Sequence, residues 1–229
     1  FGYWVSLWVG NCAIAIAMVG YLRFFFPVLE NHIIGACAAI AIIWALTFFN
    51  LLGPRKVGWL QLISMVAKVI PLLLIILAGW WYIHPEYFMD FNRTSGSSFS
   101  AFSTAASLTL WAYIGLESAA VAATKVKNPS KTVPLATIIG TLIAAFIYIG
   151  TSIVIMGMVP AGELELSTAP FALAAVQIVG PIGGIVIAVT AVIACLGTLN
   201  GWIMLTSVVS KSIADTDLFP KIFYKSIVV

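Results

Sequence analysis

An all-α protein that crosses a membrane several times is the fold class this sequence predicts, on three observations. Of 229 residues, 62% are hydrophobic and only 8% are charged. An ordinary soluble domain has roughly 45–50% apolar and about 25% charged residues. The mean hydropathy is +1.10, more apolar surface than a soluble chain of 24.5 kDa can hide beneath a polar exterior. The apolar runs are also continuous rather than alternating. A lipid-facing barrel strand must alternate, whereas a helix satisfies its own backbone groups within lipid. These observations exclude a soluble enzyme, a nucleic-acid module and a disordered chain. The net charge of +3 is too small and too scattered to hold nucleic acid.

A spanning helix needs about 20 mostly apolar residues. Within a single transmembrane domain covering residues 1–229, six stretches qualify. In order they are 3–26, ending at Pro27; 33–52, ending at Gly53-Pro54; 57–83; 102–123; 133–158; and 182–209. Residues 169–179 are too few to span and read as a surface or re-entrant helix introduced by Ser167 and Thr168. With the N-terminal end inside, the inner loops carry Arg55, Lys56, Lys125, Lys127, Lys131, Lys211, Lys221 and Lys225. The outer loops carry only Arg23 and Arg93. The positive-inside rule therefore places both ends of the chain in the cytoplasm. Phe1 opens directly into apolar sequence without a basic n-region, so no signal peptide is expected and the chain reads as a piece of a longer protein. Cys12, Cys37 and Cys195 read as buried, well-separated thiols without a disulfide framework, and His32 and His84 lie far from them. Neither a metal site nor a cofactor is expected. There is no P-loop, Ser-His-Asp or HExxH pattern, so enzyme chemistry is not expected either.

Two ionisable residues sit deep in spans, where each costs at least ~2.5 kcal/mol on insertion scales. Glu117, in Gly115-Leu116-Glu117-Ser118, is a carboxyl that would titrate during transport, or else a protonated acid bonded to a neighbouring helix. Gly115, two residues earlier, lets the helix open at low steric cost, and unwound backbone at that depth is tolerated beside a cavity. Lys68 lies eleven residues past Val57, ~16 Å along a helix. Its ammonium would satisfy the carbonyl that Pro71 leaves free one turn earlier, or take the place of a coupling cation. Trp111 and Trp202 stand well inside their spans, where two indoles lining one cavity suit a cationic substrate; packing alone also accounts for Trp202. Trp4, Trp80 and Trp81 read as interface anchors. Asn11, within the first span, serves either as a substrate ligand or as glue between helices.

The run Trp111-Ala112-Tyr113-Ile114-Gly115-Leu116-Glu117-Ser118-Ala119, followed by Lys127-Asn128-Pro129 and Val133-Pro134, resembles the sixth helix and following loop of the amino acid–polyamine–organocation transporters. Trp8-Val9-Gly10-Asn11, Val19-Gly20-Tyr21-Leu22, Ile155-Met156-Gly157-Met158-Val159-Pro160, Ala169-Pro170-Phe171, Cys195-Leu196-Gly197 and Gly201-Trp202 extend the resemblance over essentially the whole chain. Within the superfamily the sequence is most similar to the basic amino acid/polyamine branch, the arginine:agmatine exchangers above all. The resemblance implies a LeuT-like fold of two inverted five-helix repeats, with this chain supplying helices three to eight. It also implies site residues. Trp111 would stack on the substrate, Ile114 and Gly115 would offer backbone, and Asn11 would bind the guanidinium end, with Ser6 and Ile14 lining nearby wall. Trp202 would pack at the distal end of the pocket. Glu117 would be the proton-sensitive gate and Tyr3 part of the outward gate. Lys68 resembles the fifth-helix lysine of other branches, whose ammonium replaces a sodium ion.

The expected function is thus secondary active transport of amino acids by alternating access, as arginine/agmatine-type or related cationic amino acid/polyamine exchange, in the bacterial cytoplasmic (inner) membrane. The expected partners are a small amino acid or amine substrate and membrane lipid, not nucleic acid, with room for a homodimer of the full-length protein. Lys68 supports a different reading, a sodium-independent, proton-coupled permease of neutral or broad amino acids. The absence of the family's first helix supports another, a truncated fragment that transports nothing.

Overall fold

A computed structural model describes residues 2–89, 92, 96–115, 128–167 and 169–220. In chain order its α-helices are α1 (Gly2–Leu22), α2 (His32–Asn50), α3 (Pro54–Gly79), α4 (Ser98–Leu110), α5 (Pro129–Met158), α6 (Ala161–Leu166), α7 (Pro170–Val179) and α8 (Pro181–Ala214). Short 3-10 turns lie at Pro27–Glu30, Trp80–Tyr82, Pro85–Phe88 and Trp111–Tyr113. Among the described residues all regular structure is helical, and five helices are long and apolar enough to cross a membrane: Gly2–Leu22, His32–Asn50, Arg55–Tyr82, Pro129–Met158 and Pro181–Ala214. The chain divides into two compact units, residues 1–74 with 166–229, and residues 75–165.

In the first unit α1 packs along α8, α2 lies against both, and α7 folds onto α8. The core of this unit joins Ile14, Ala15 and Val19 of α1 with Ala39 and Leu46 of α2, Leu199 of α8, and Leu29. The sequence dictates the helix ends locally. Asn31 caps α2 by accepting hydrogen bonds from the amides of Ile33 and Ile34. α1 stops at Leu22, four residues short of Phe26. Phe24 and Phe25 there donate to Tyr21 and Leu22 in tightened i→i+3 bonds, because the residue before Pro27 is pushed out of the helical region.

A buried polar tie crosses the unit. The Asn50 amide donates to Asn200 Oδ1 at 3.0 Å and to the Leu46 carbonyl at 2.9 Å, and Asn200 Nδ2 reaches the Val57 carbonyl at 3.3 Å. α2, the start of α3, and α8 are thereby fastened in one network. Ser64 of α3 fills the place that a β-carbon on Gly197 of α8 would take.

In the second unit the turns before and after His84 pack on the end of α5. The His84 amide donates to the Gly157 carbonyl at 2.8 Å, and Phe88 and Ile83 lie against Gly157.

Several expectations need correction. In the fourth apolar stretch α4 ends at Leu110 and gives way to a 3-10 turn, earlier than the opening expected at Gly115, and residues 116–123 of that stretch lie outside the described residues. Residues 129–132, expected to precede the fifth span, already form the start of α5. Pro129 takes the first helical position, where a missing N–H costs nothing. α7 is capped by Ala169 without a side-chain bond; Ser167 Oγ instead accepts from the Ala169 amide at 3.1 Å. α6 was not anticipated. Cys12 and Cys37 are exposed and Cys195 is half-buried. An apolar position on a spanning helix needs no protein neighbour, since lipid tails are as apolar as a core. Thr168, Arg93, Lys125, Lys127, Lys221 and Lys225 lie outside the described residues.

Candidate functional site

The seam between α1 and α8 carries the site residues that the structure brings together. Trp202, Thr206 and Ser210 recur every four residues on one face of α8 and meet α1. The Trp202 ring lies over Gly10, so closely that a β-carbon there would collide with it. Asn11, one residue further, is 9% exposed and donates from Nδ2 to Thr206 Oγ1 at 3.1 Å. Asn11 is thus a bond between helices, one of its two expected roles. Its second polar atom remains unused: Oδ1 is buried and has no hydrogen-bond partner among the described residues. A buried acceptor left without a donor costs about 1–3 kcal/mol. It is a place where a donor-bearing ligand gains. One turn beyond, Trp4 Nε1 donates to Ser210 Oγ at 2.8 Å, and the Trp4 ring contacts Trp8 and Phe219. Trp4, expected as an interface anchor, is therefore engaged on α8.

The other expected residues distribute as follows. Ser6 spends its hydroxyl on the Tyr3 carbonyl at 2.7 Å. Ile14 is 7% exposed and lies in the core of the first unit rather than on an open wall. Lys68 is half-buried on α3 within electrostatic reach of Cys195. It makes no ion pair among the described residues, and no hydrogen bond carries it to the carbonyl freed by Pro71.

Trp111, Ile114 and Gly115 belong to the second unit. Helix α4 breaks just before them, and Gly115 takes φ +107°, a conformation that a side chain would strain. Tyr148 of α5 braces this segment. Its ring meets Tyr113 edge-on at 5.6 Å, and its hydroxyl points a long 3.4 Å bond at the Ala112 carbonyl. Breaking a helix frees carbonyls of this kind. Glu117 lies outside the described residues.

The sequence reading missed Thr206, Ser210 and Tyr148. The four-residue recurrence of Trp202, Thr206 and Ser210 was a usable signal for the first two. No comparable signal marked Tyr148, whose partner is 36 residues away.

Spanning-length helices joined by a polar seam define a multi-pass integral membrane protein. The chain belongs to the amino acid permease family, whose sequence profile matches residues 1–227. It is 38% identical over 222 residues to the cadaverine/lysine antiporter of Escherichia coli K12, covering 96% of this chain and 50% of that protein. It is 40% identical over 222 residues to the putrescine transporter PotE of the same strain, covering 96% and 51%. It is 39% identical over 224 residues to the putrescine transporter PotE of Haemophilus influenzae, covering 97% and 52%. The chain thus spans about half the length of the curated relatives it matches.

Proposed function

We propose that the full-length protein is a secondary antiporter of the bacterial inner membrane that exchanges a cationic amino acid for a diamine by alternating access. The observation that carries this reading is the buried Asn11 Oδ1, an acceptor without a donor among the described residues, on the residue that follows Gly10, where the Trp202 ring packs. An ammonium or guanidinium supplies the missing donor, and an indole face attracts the same charge. The similarity to cadaverine/lysine and putrescine transporters points to the same chemistry. Trp111 would stack on the substrate, Ile114 and Gly115 would offer backbone, and Glu117 and Tyr3 would gate. Lysine with cadaverine is the pair we favour, with arginine and agmatine next.

Exchange requires that each substrate stabilise inward and outward states to different degrees. Proteoliposomes holding the full-length protein and loaded with cadaverine should take up labelled lysine, and empty ones should not. Uptake that ignores the internal amine would overturn the antiport reading. Lys68, which makes no ion pair among the described residues, favours a second reading, a sodium-independent permease of neutral or broad amino acids. Uptake of alanine or leucine without any cationic counter-substrate, abolished by Lys68→Ala, would establish that reading instead.

A further inference from the structure

We infer that Thr206 is the positioning residue that sets which end of the Asn11 amide faces the substrate, and so selects a cationic over a neutral substrate terminus. The argument is one of proton counting. A threonine hydroxyl has a single proton to donate and lone pairs that accept. Thr206 spends its proton on the Trp202 carbonyl, one turn back, at 2.7 Å. Toward α1 it offers only lone pairs. Asn11 must therefore turn its NH2 group to Thr206, at 3.1 Å, and its carbonyl oxygen away. Rotated by half a turn, the amide would set oxygen against oxygen with no proton between them. The same logic recurs one turn along α8. Ser210 donates to the Thr206 carbonyl at 2.7 Å and accepts from Trp4 Nε1. The bond that joins the helices thus also fixes the polarity of the site: the atom turned from Thr206 is an acceptor, buried and with no hydrogen-bond partner among the described residues. An ammonium fits an acceptor; a methyl terminus leaves it unpaired.

This inference rests on the functional reading above, which supplies the cationic substrate. The test compares cadaverine with pentylamine, and lysine with norleucine, as competitors of labelled cadaverine uptake by the full-length protein in proteoliposomes. Thr206→Val keeps the shape and removes the lone pairs. The amide is then free to turn, and the preference for the charged terminus should fall about tenfold, while Thr206→Ser should restore it. Should the valine variant fail to purify as a monodisperse protein, Thr206→Ala carries the same expectation, since a merely structural gap would weaken both competitors alike. An unchanged ratio in Thr206→Val or Thr206→Ala overturns the assignment while leaving antiport intact. Wild-type protein that takes up no cationic amine overturns the functional reading and this inference with it.

Discussion

Trp202 of α8 occupies the space that a β-carbon on Gly10 of α1 would need. Two helices approach there because one residue has no side chain and the other has the largest. Such contacts substitute, in lipid, for the hydrophobic drive that packs soluble helices. Gly10→Ala should push the ring off the seam and destabilise the full-length protein by about 1–3 kcal/mol. A lowered melting temperature in detergent, with a shift in tryptophan emission, checks this. An unchanged melt would mean that the ring has room to move.

The Asn50–Asn200 pair should act as one tie. Each single change to leucine leaves the partner's amide buried and short of a bond. A double-mutant cycle of Asn50→Leu and Asn200→Leu, read by thermal unfolding, should return a coupling of about 0.6–1.7 kcal/mol. Additive effects would show that the network bears no load.

Gly115 has a conformation that side chains avoid. Gly115→Ala should cost about 1–3 kcal/mol in backbone strain. If the break at Trp111–Tyr113 exists to expose backbone to substrate, cadaverine affinity should fall with it. Tyr148→Phe, which gives up only a long hydroxyl contact, should cost under about 1 kcal/mol. Binding isotherms of the two variants distinguish the effects.

Trp111→Ala should reduce substrate affinity by about tenfold or more, the loss expected of a cation held against an indole in a dry site. Wild-type affinity in that variant would place the ring elsewhere.

Glu117→Gln should change the pH profile of exchange more than it changes binding at acidic pH, because glutamine imitates the protonated acid and cannot titrate. Parallel uptake and binding measurements between pH 5 and 8 test this. A profile superimposable on that of the wild type would remove the gate role.

By itself the sequence determined that the chain is α-helical, that it crosses a membrane repeatedly, and that it is kin to amino acid permeases. The first two properties follow from the local cost of placing polar groups in lipid, which each stretch of apolar residues records on its own; the kinship rests on a resemblance of motifs, Trp111-Ala112-Tyr113-Ile114-Gly115-Leu116-Glu117 above all. It also marked Gly115 as a weak point, since a missing side chain is visible without a structure. The tertiary structure alone decided where α4 ends and which side chains meet. Asn11 read equally well as ligand or glue until α8 placed Thr206 against one end of its amide, the other end being buried with no hydrogen-bond partner among the described residues. Ile14, read as lining the site wall, is buried in the apolar cluster of the first unit. The partners in the first unit are far apart in the chain: Asn11 and Thr206 are separated by 195 residues, Asn50 and Asn200 by 150. Apolar periodicity identifies a helix, but a hydrogen bond depends on the register between two helices, and that register is fixed only when they pack.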